Sequence, residues 1–107
     1  MSGILEGINV LDLSRILAGP YTAQMLSDLG ANVTKIEAPW GDDTRGWGPP
    51  FATDFDGERV AAYFLCCNRG KTILQINLKE EKDRLMELIE WADVIAVSYT
   101  HLTLPTT

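Results

Sequence analysis

Two short stretches carry the residue types best suited to holding an anion. The first runs Leu13-Ser14-Arg15-Ile16-Leu17-Ala18-Gly19-Pro20. Ala18, Gly19 and Pro20 put little side-chain bulk ahead of the helix that Pro20 opens, so the unsatisfied N–H groups of its first turn suit an anion or a polar ligand edge. Arg15 adds a planar donor fork that fits phosphate or carboxylate. The same residues also read as a packing turn beside a solvated or ion-paired arginine. The second stretch is Asn68-Arg69-Gly70-Lys71, two cations separated by a glycine on a turn before a strand. That arrangement clamps a phosphate through side chains and backbone together, or is a plain basic turn. Neither stretch is a GxGxxG or a GxxxxGK[ST] loop, so neither supports a dinucleotide or P-loop assignment. Cys66 and Cys67 are adjacent, without the spacing of a CxxC redox pair or a zinc site, and read as two ordinary core or half-buried thiols. No metal site is expected.

The elements that must position these stretches are legible in outline. Ile8 to Leu13 is apolar enough for a buried strand. A helix follows from Pro20, with Met25, Leu26 and Leu29 as its apolar face and Gly30 as its left-handed C-terminal cap. Residues 31–38, rich in β-branched side chains and close behind the helix, predict a second, parallel strand and hence a βαβ unit. Residues 39–57 turn to Gly, Pro, Asp and Trp, which predicts a structured functional loop anchored by Trp40 and Trp47. Residues 61–67 are too brief for periodicity to decide and are assigned to a helix. Residues 72–78 predict a strand with Leu74, Ile76 and Leu78 on one face. A helix follows with Leu85, Leu88, Ile89 and Ala92 on one side, and 93–97 returns as a strand. The class is α/β with a mostly parallel sheet and no internal repeat. In such sheets ligands bind beyond the C-terminal ends of the strands.

Composition narrows the function. At 107 residues and 46% hydrophobic content, the chain is one domain or part of one. Nine basic against fifteen acidic side chains give a net charge of −6, which argues against general nucleic-acid binding. Any anionic ligand must be held locally. No apolar run approaches the roughly 20 residues that span a bilayer, and the N-terminus lacks a signal-peptide pattern, so a cytoplasmic protein is expected.

The ordered set "GINVLDLSRILAGPYTAQMLSDLGANVTKIEAPWGDDTRGWGPPF", then "AAYFLCCNRGK", then "LIEWADVIAV" resembles the start of family III CoA-transferases. That group includes formyl-CoA transferase, carnitine CoA-transferase and alpha-methylacyl-CoA racemase. The most specific parts are the "DLSRILAGP" turn, the "KIEAPWGDDTR" segment and the "NRGK" turn, and the likeness covers roughly residues 5 to 97. It implies a Rossmann-like N-terminal portion of the family's large domain, spanning residues 1–97. It also implies coenzyme A or acyl-CoA as a substrate, with no permanently bound cofactor. The partners are acyl-CoA and a carboxylic acid, and the full-length parent is an interlocked homodimer.

Carried over by motif, Arg15, Ile16, Leu17 and Ala18 fall beside the CoA and its thioester. Asn68, Arg69 and Lys71 fall near the adenosine phosphates, with Arg69 and Lys71 as the main electrostatic contacts. Arg45 in "DDTR" either touches ligand or pairs with Asp42 or Asp43 to hold the loop closed. Ala38 stands where many relatives carry a polar residue. The family's chemistry passes CoA between acids through an aspartyl anhydride and an enzyme thioester. No Asp of this chain matches the nucleophile, so no catalytic residue is assigned and the chain alone is expected to be inactive. A racemase fragment and a non-catalytic CoA- or nucleotide-binding module are the alternatives. Residues 98–107 depart from the family pattern and are read as a non-native or disordered tail in which His101 has no role.

Overall fold

A computed structural model describes residues 3–15, 17–53 and 56–97. Ile16 and residues 98–107, on which the expectations of a ligand contact and of a non-native or disordered tail fall, lie outside them. The elements run β1 (Asn9–Asp12), α1 (Ala18–Asp28), β2 (Asn32–Glu37), a 3-10 turn (Asp43–Gly46), β3 (Phe51–Thr53), β4 (Arg59–Ala61), α2 (Ala62–Cys66), β5 (Thr72–Gln75), α3 (Lys82–Trp91) and β6 (Val94–Ala96).

Four strands form one parallel sheet in the order β5-β2-β1-β6. The chain moves outward from β1 through α1 to β2 and β5, then crosses by α3 to the other side of β1. Connections from β1 and from β5 therefore run in opposite directions, and such a reversal opens a crevice above the strand ends. The expected α/β class and parallel sheet are present.

Side chains of successive strand residues point to opposite faces, and the two cores separate accordingly. Val10 and Val33 pack with Ala23 and Ala31 on one face, with Leu5, Ile8 and Leu26 partly buried beside them. Leu11, Leu13, Ile36 and Ile76 pack on the other with Leu85, flanked by Leu88, Ile89 and Ala92 of the α3 side. The helical face read from the periodicity of α3 is thus the one that is buried.

α1 differs from its expectation in one respect. It ends as foreseen, with Gly30 at φ +103° and the N–H groups of Gly30 and Ala31 donating to Ser27 and Leu26. Its buried residues, however, are Pro20, Ala23 and Gln24, while Met25 and Leu29 are about half exposed. The sheet beneath α1 carries charged side chains as well as Val10 and Val33. A small alanine fits that surface more closely than a methionine or leucine does.

The 39–57 stretch is structured, and Trp47 meets the Tyr63 ring edge-on at 5.4 Å while Trp40 stands out in solvent. Trp40 is 79% exposed and Trp47 is half exposed. The stretch is held as well by the 3-10 turn, whose Thr44 and capping Asp42 are buried, and by the antiparallel pairing of β3 with β4 from Phe51↔Ala61 to Thr53↔Arg59. Sequence reading missed that ribbon, since strands of three residues are too short to show alternation.

Candidate functional site

Residues at the C-terminal ends of β1 and β2 that face α1 are charged where a sheet of this kind is usually apolar. Asp12 closes β1 and is fully buried. One of its oxygens accepts from the Ser14 N–H at 2.9 Å and from the Ser14 hydroxyl. The other meets the Lys71 ammonium at 2.8 Å, with both side chains shut off from solvent. Lys71 also donates to the Pro20 carbonyl at 3.1 Å and to Asn68 Oδ1 at 2.9 Å. An ammonium has three protons, so all its donors have acceptors. Burial nonetheless pulls the Lys71 pKa below the usual lysine value, with the Asp12 carboxylate opposing that pull.

A second buried pair lies alongside. Lys35 Nζ sits 3.2 Å from Asp42 Oδ2 and donates to the Ser14 carbonyl at 3.1 Å. Burial pushes the Asp42 carboxyl up, and the Thr44 N–H, the Thr44 hydroxyl and Lys35 outweigh it, holding the pKa below its ordinary 3.8. Those Thr44 bonds, 2.9 and 2.7 Å, cap the 3-10 turn.

The third pair fixes the loop to the sheet. Arg45 lays its fork on Glu37, with Nε 2.9 Å from Oε2 and Nη2 2.8 Å from Oε1, and its guanidinium stacks 4.0 Å over the Phe64 ring. Gly41 makes room for this. Its φ is +84°, and a Cβ there would stand 3.1 Å from Arg45 Cδ and 3.3 Å from Glu37 Oε2. Arg45 therefore makes an internal pair that holds the loop, the kind foreseen as one alternative, and its partner is Glu37.

On the outer side of these pairs a cavity of about 410 Å³ opens at the C-terminal ends of β1, β2 and β5. Its floor is Leu13, Ile36 and Ile76, and its walls run through Ala38, Pro39 and Gly41. Arg15, Trp40, Asn77 and Lys79 stand around it. An apolar floor with two cations and an exposed indole at the rim suits a ligand that is part hydrophobic and part anionic, with a flat group for the indole. Ala38 keeps its wall low.

The sequence-predicted residues do not converge on one point. Arg15 lines the cavity, and Leu17 and Ala18 are exposed at the start of α1. Asn68 is buried, its amide donating to the Phe64 carbonyl at 2.8 Å. Lys71 is turned inward with its side chain shut off from solvent, and Arg69 is the exposed cation of this turn. Arg69 pairs with Asp28 at 2.7 Å, both side chains largely exposed. Asp28 is the last residue of α1, and ten residues at about 1.5 Å each put it ~15 Å from the helix start. Asn77, Lys79 and Trp40 were missed as site residues. The signal available for Asn77 and Lys79 was position alone, directly beyond a strand that ends beside β2.

The sequence matches the family model described as CoA-transferase family III over residues 5–105. A succinate–glutarate CoA-transferase of Agrobacterium fabrum is 46% identical over 99 residues, covering 89% of this chain and 25% of that protein. A succinyl-CoA:mesaconate CoA-transferase of Haloarcula marismortui is 44% identical over 99 residues, covering 91% and 25%. A solved CaiB/BaiF family protein from Brucella suis superposes with a TM-score of 0.88 at 46% identity, covering 92% of this chain and 26% of that one. The chain spans about a quarter of the length of the curated relatives it matches.

Proposed function

This chain belongs to CoA-transferase family III, and from that premise we propose that it forms the CoA-binding N-terminal portion of an enzyme moving CoA between an acyl-CoA and a carboxylic acid. The observation that carries the reading is the cavity at the ends of β1, β2 and β5, with Arg15 and Lys79 at its rim and Trp40 beside it. CoA has a pantetheine arm with methyl and methylene groups between its amides, an adenine ring and phosphates, which correspond to the floor, the indole and the cations.

In this reading Arg15, Ile16, Leu17 and Ala18 run beside the thioester end of the ligand, and Lys79 joins Arg15 as a cation at the cavity. Arg45, Asn68 and Lys71 act from behind, holding the loop and the β1 terminus in place. Arg69 reaches the ligand only if the ligand extends along α1. The nucleophilic carboxylate that forms the anhydride and then the enzyme thioester comes from outside this chain. CoA is a substrate here, bound and released in each turnover. The enzyme works in the cytoplasm as an interlocked homodimer. Exposed apolar side chains support the last point: Leu17, Tyr21, Met25 and Leu29 on α1, and Trp91, Val94, Ile95 and Val97 around β6.

Calorimetric titration with CoA and with pantetheine, which lacks the nucleotide, tests the reading. A hydrogen bond to a charged group is worth about 1.5–3 kcal/mol, so losing one weakens binding about tenfold or more. Lys79→Ala is expected to weaken CoA by that factor and leave pantetheine unchanged, while Arg69→Ala leaves both unchanged. Equal CoA affinity for the wild type and Lys79→Ala, with a loss in Arg69→Ala, would move the phosphate site to the NRGK turn. Absence of CoA binding to the wild-type chain would remove the reading altogether.

A further inference from the structure

The two cysteines, which play no part in the reading above, are arranged as a reactive pair. Cys66 ends α2 and Cys67 follows it, and both thiols are free. Their sulfurs are 3.5 Å apart. Cys66 is exposed and Cys67 is buried. The Cys66 thiol donates to the Tyr63 carbonyl at 3.0 Å. The Cys67 N–H donates to the Phe64 carbonyl at 3.3 Å, and the next residue, Asn68, holds Lys71.

We propose that Cys66 and Cys67 are a modification site, a vicinal dithiol that a hydroperoxide closes reversibly to an intrachain disulfide and that thereby loosens the Asn68–Lys71–Asp12 linkage. The first step falls on Cys66, because it is the accessible sulfur. Its thiolate attacks the peroxide, the O–O bond breaks, the departing hydroxide or alkoxide takes up the proton that the Cys66 thiol gave up, and the products are a Cys66 sulfenic acid and water or an alcohol. In the second step the Cys67 sulfur attacks the sulfenic sulfur. The S–O bond breaks, the Cys67 proton goes to the departing hydroxide, and water leaves as the S–S bond forms. Two thiols are oxidised and one peroxide is reduced.

Proximity favours closure over further oxidation, since the second thiol already stands beside the first. Backbone geometry makes the product labile. Adjacent Cα atoms are about 3.8 Å apart across a trans peptide, below the ~4.4–6.8 Å usual between bridged cysteines, so the 66–67 peptide must distort. A strained bridge is the readily reduced, regulatory kind. Distortion there takes the Cys67 N–H from Phe64 and shifts Asn68, the acceptor that helps fix the Lys71 ammonium against Asp12. Oxidation at α2 is in this way transmitted to the end of β1.

The test uses the 107-residue chain, reduced and then treated with hydrogen peroxide, natively and in urea. Trypsin releases both cysteines in one peptide, Val60–Arg69, cut after Arg59 and Arg69. The expected product is that peptide lighter by two hydrogens, with loss of both alkylatable thiols and their recovery in dithiothreitol. It is expected to form faster in the native chain than in urea, and the native chain's thermal midpoint is expected to fall on oxidation and return on reduction. Cys66→Ser, which removes the reacting sulfur, is expected to show none of these changes. The proposal is overturned by sulfinic or sulfonic acid at Cys66 with Cys67 still reduced, by a disulfide between two chains, or by equal rates in native and urea-treated chain. An oxidised chain with an unchanged midpoint would overturn the link to Lys71.

Discussion

Lys71→Met separates two roles for the NRGK turn, ligand contact and internal brace. Methionine keeps most of the length and apolar stem of lysine while removing the charge. Asp12 would then remain wholly buried with Ser14 as its donor among the described residues, and the Pro20 carbonyl and Asn68 Oδ1 would each lose the bond that Lys71 now gives them. Breaking a buried pair by removing one partner costs about 3–5 kcal/mol, because the other charge stays buried without compensation. Set against the ~5–15 kcal/mol total for a domain of this size, that is about a fifth or more of the stability. Adding Asp12→Asn removes the orphaned charge while keeping an acceptor for Ser14, so the double variant should lose less than the single one. Urea unfolding followed by far-UV circular dichroism reads both, with an unchanged slope showing that the midpoint shift is a stability change. Arg69→Ala is the control. Its pair with Asp28 is 63% and 45% exposed, and exposed pairs contribute about 0–1 kcal/mol. A Lys71→Met cost no larger than that of Arg69→Ala would refute the reasoning, and would mean that the ammonium faces solvent and is available to a ligand.

Two further predictions concern pH. The Asp42 carboxyl is held below its ordinary 3.8, so the unfolded chain takes up this proton first on acidification. Its contribution to stability is present above pH 3.8 and is lost as pH falls through the lower folded value; Asp42→Asn should flatten that part of the acid limb in urea titrations. The Cys67 thiol is pushed up from 9.0 to about 11, chiefly by burial, so in the folded chain it keeps its proton where the unfolded chain has lost it. Stability should therefore decline from pH 9.0 toward about 11 more steeply in the wild type than in Cys67→Ala, compared by thermal midpoints across that range.

What the sequence determined by itself was the succession of elements and the family. The βαβ start, the Gly30 cap, the buried side of α3 and the parallel sheet all follow from local signals: periodicity, a residue that tolerates positive φ, and short links between strands and helices. The family likeness rests on ordered motifs and needs no coordinates. What only the tertiary structure decided was which charged side chains face inward. Arg15, Arg45, Arg69 and Lys71 look alike as cations in a sequence, yet one lines the cavity, one braces the loop on Glu37, one sits exposed at the far end of α1 and one is sealed against Asp12. The carboxylates that pair with Arg45, Arg69 and Lys71 lie 8, 41 and 59 residues away, so a local window marks little of the difference. The same holds on β2, where Lys35 and Glu37 share a buried face with Val33. Each is admitted there by a partner that folding delivers from another element, and a buried charge is tolerated only with such a partner.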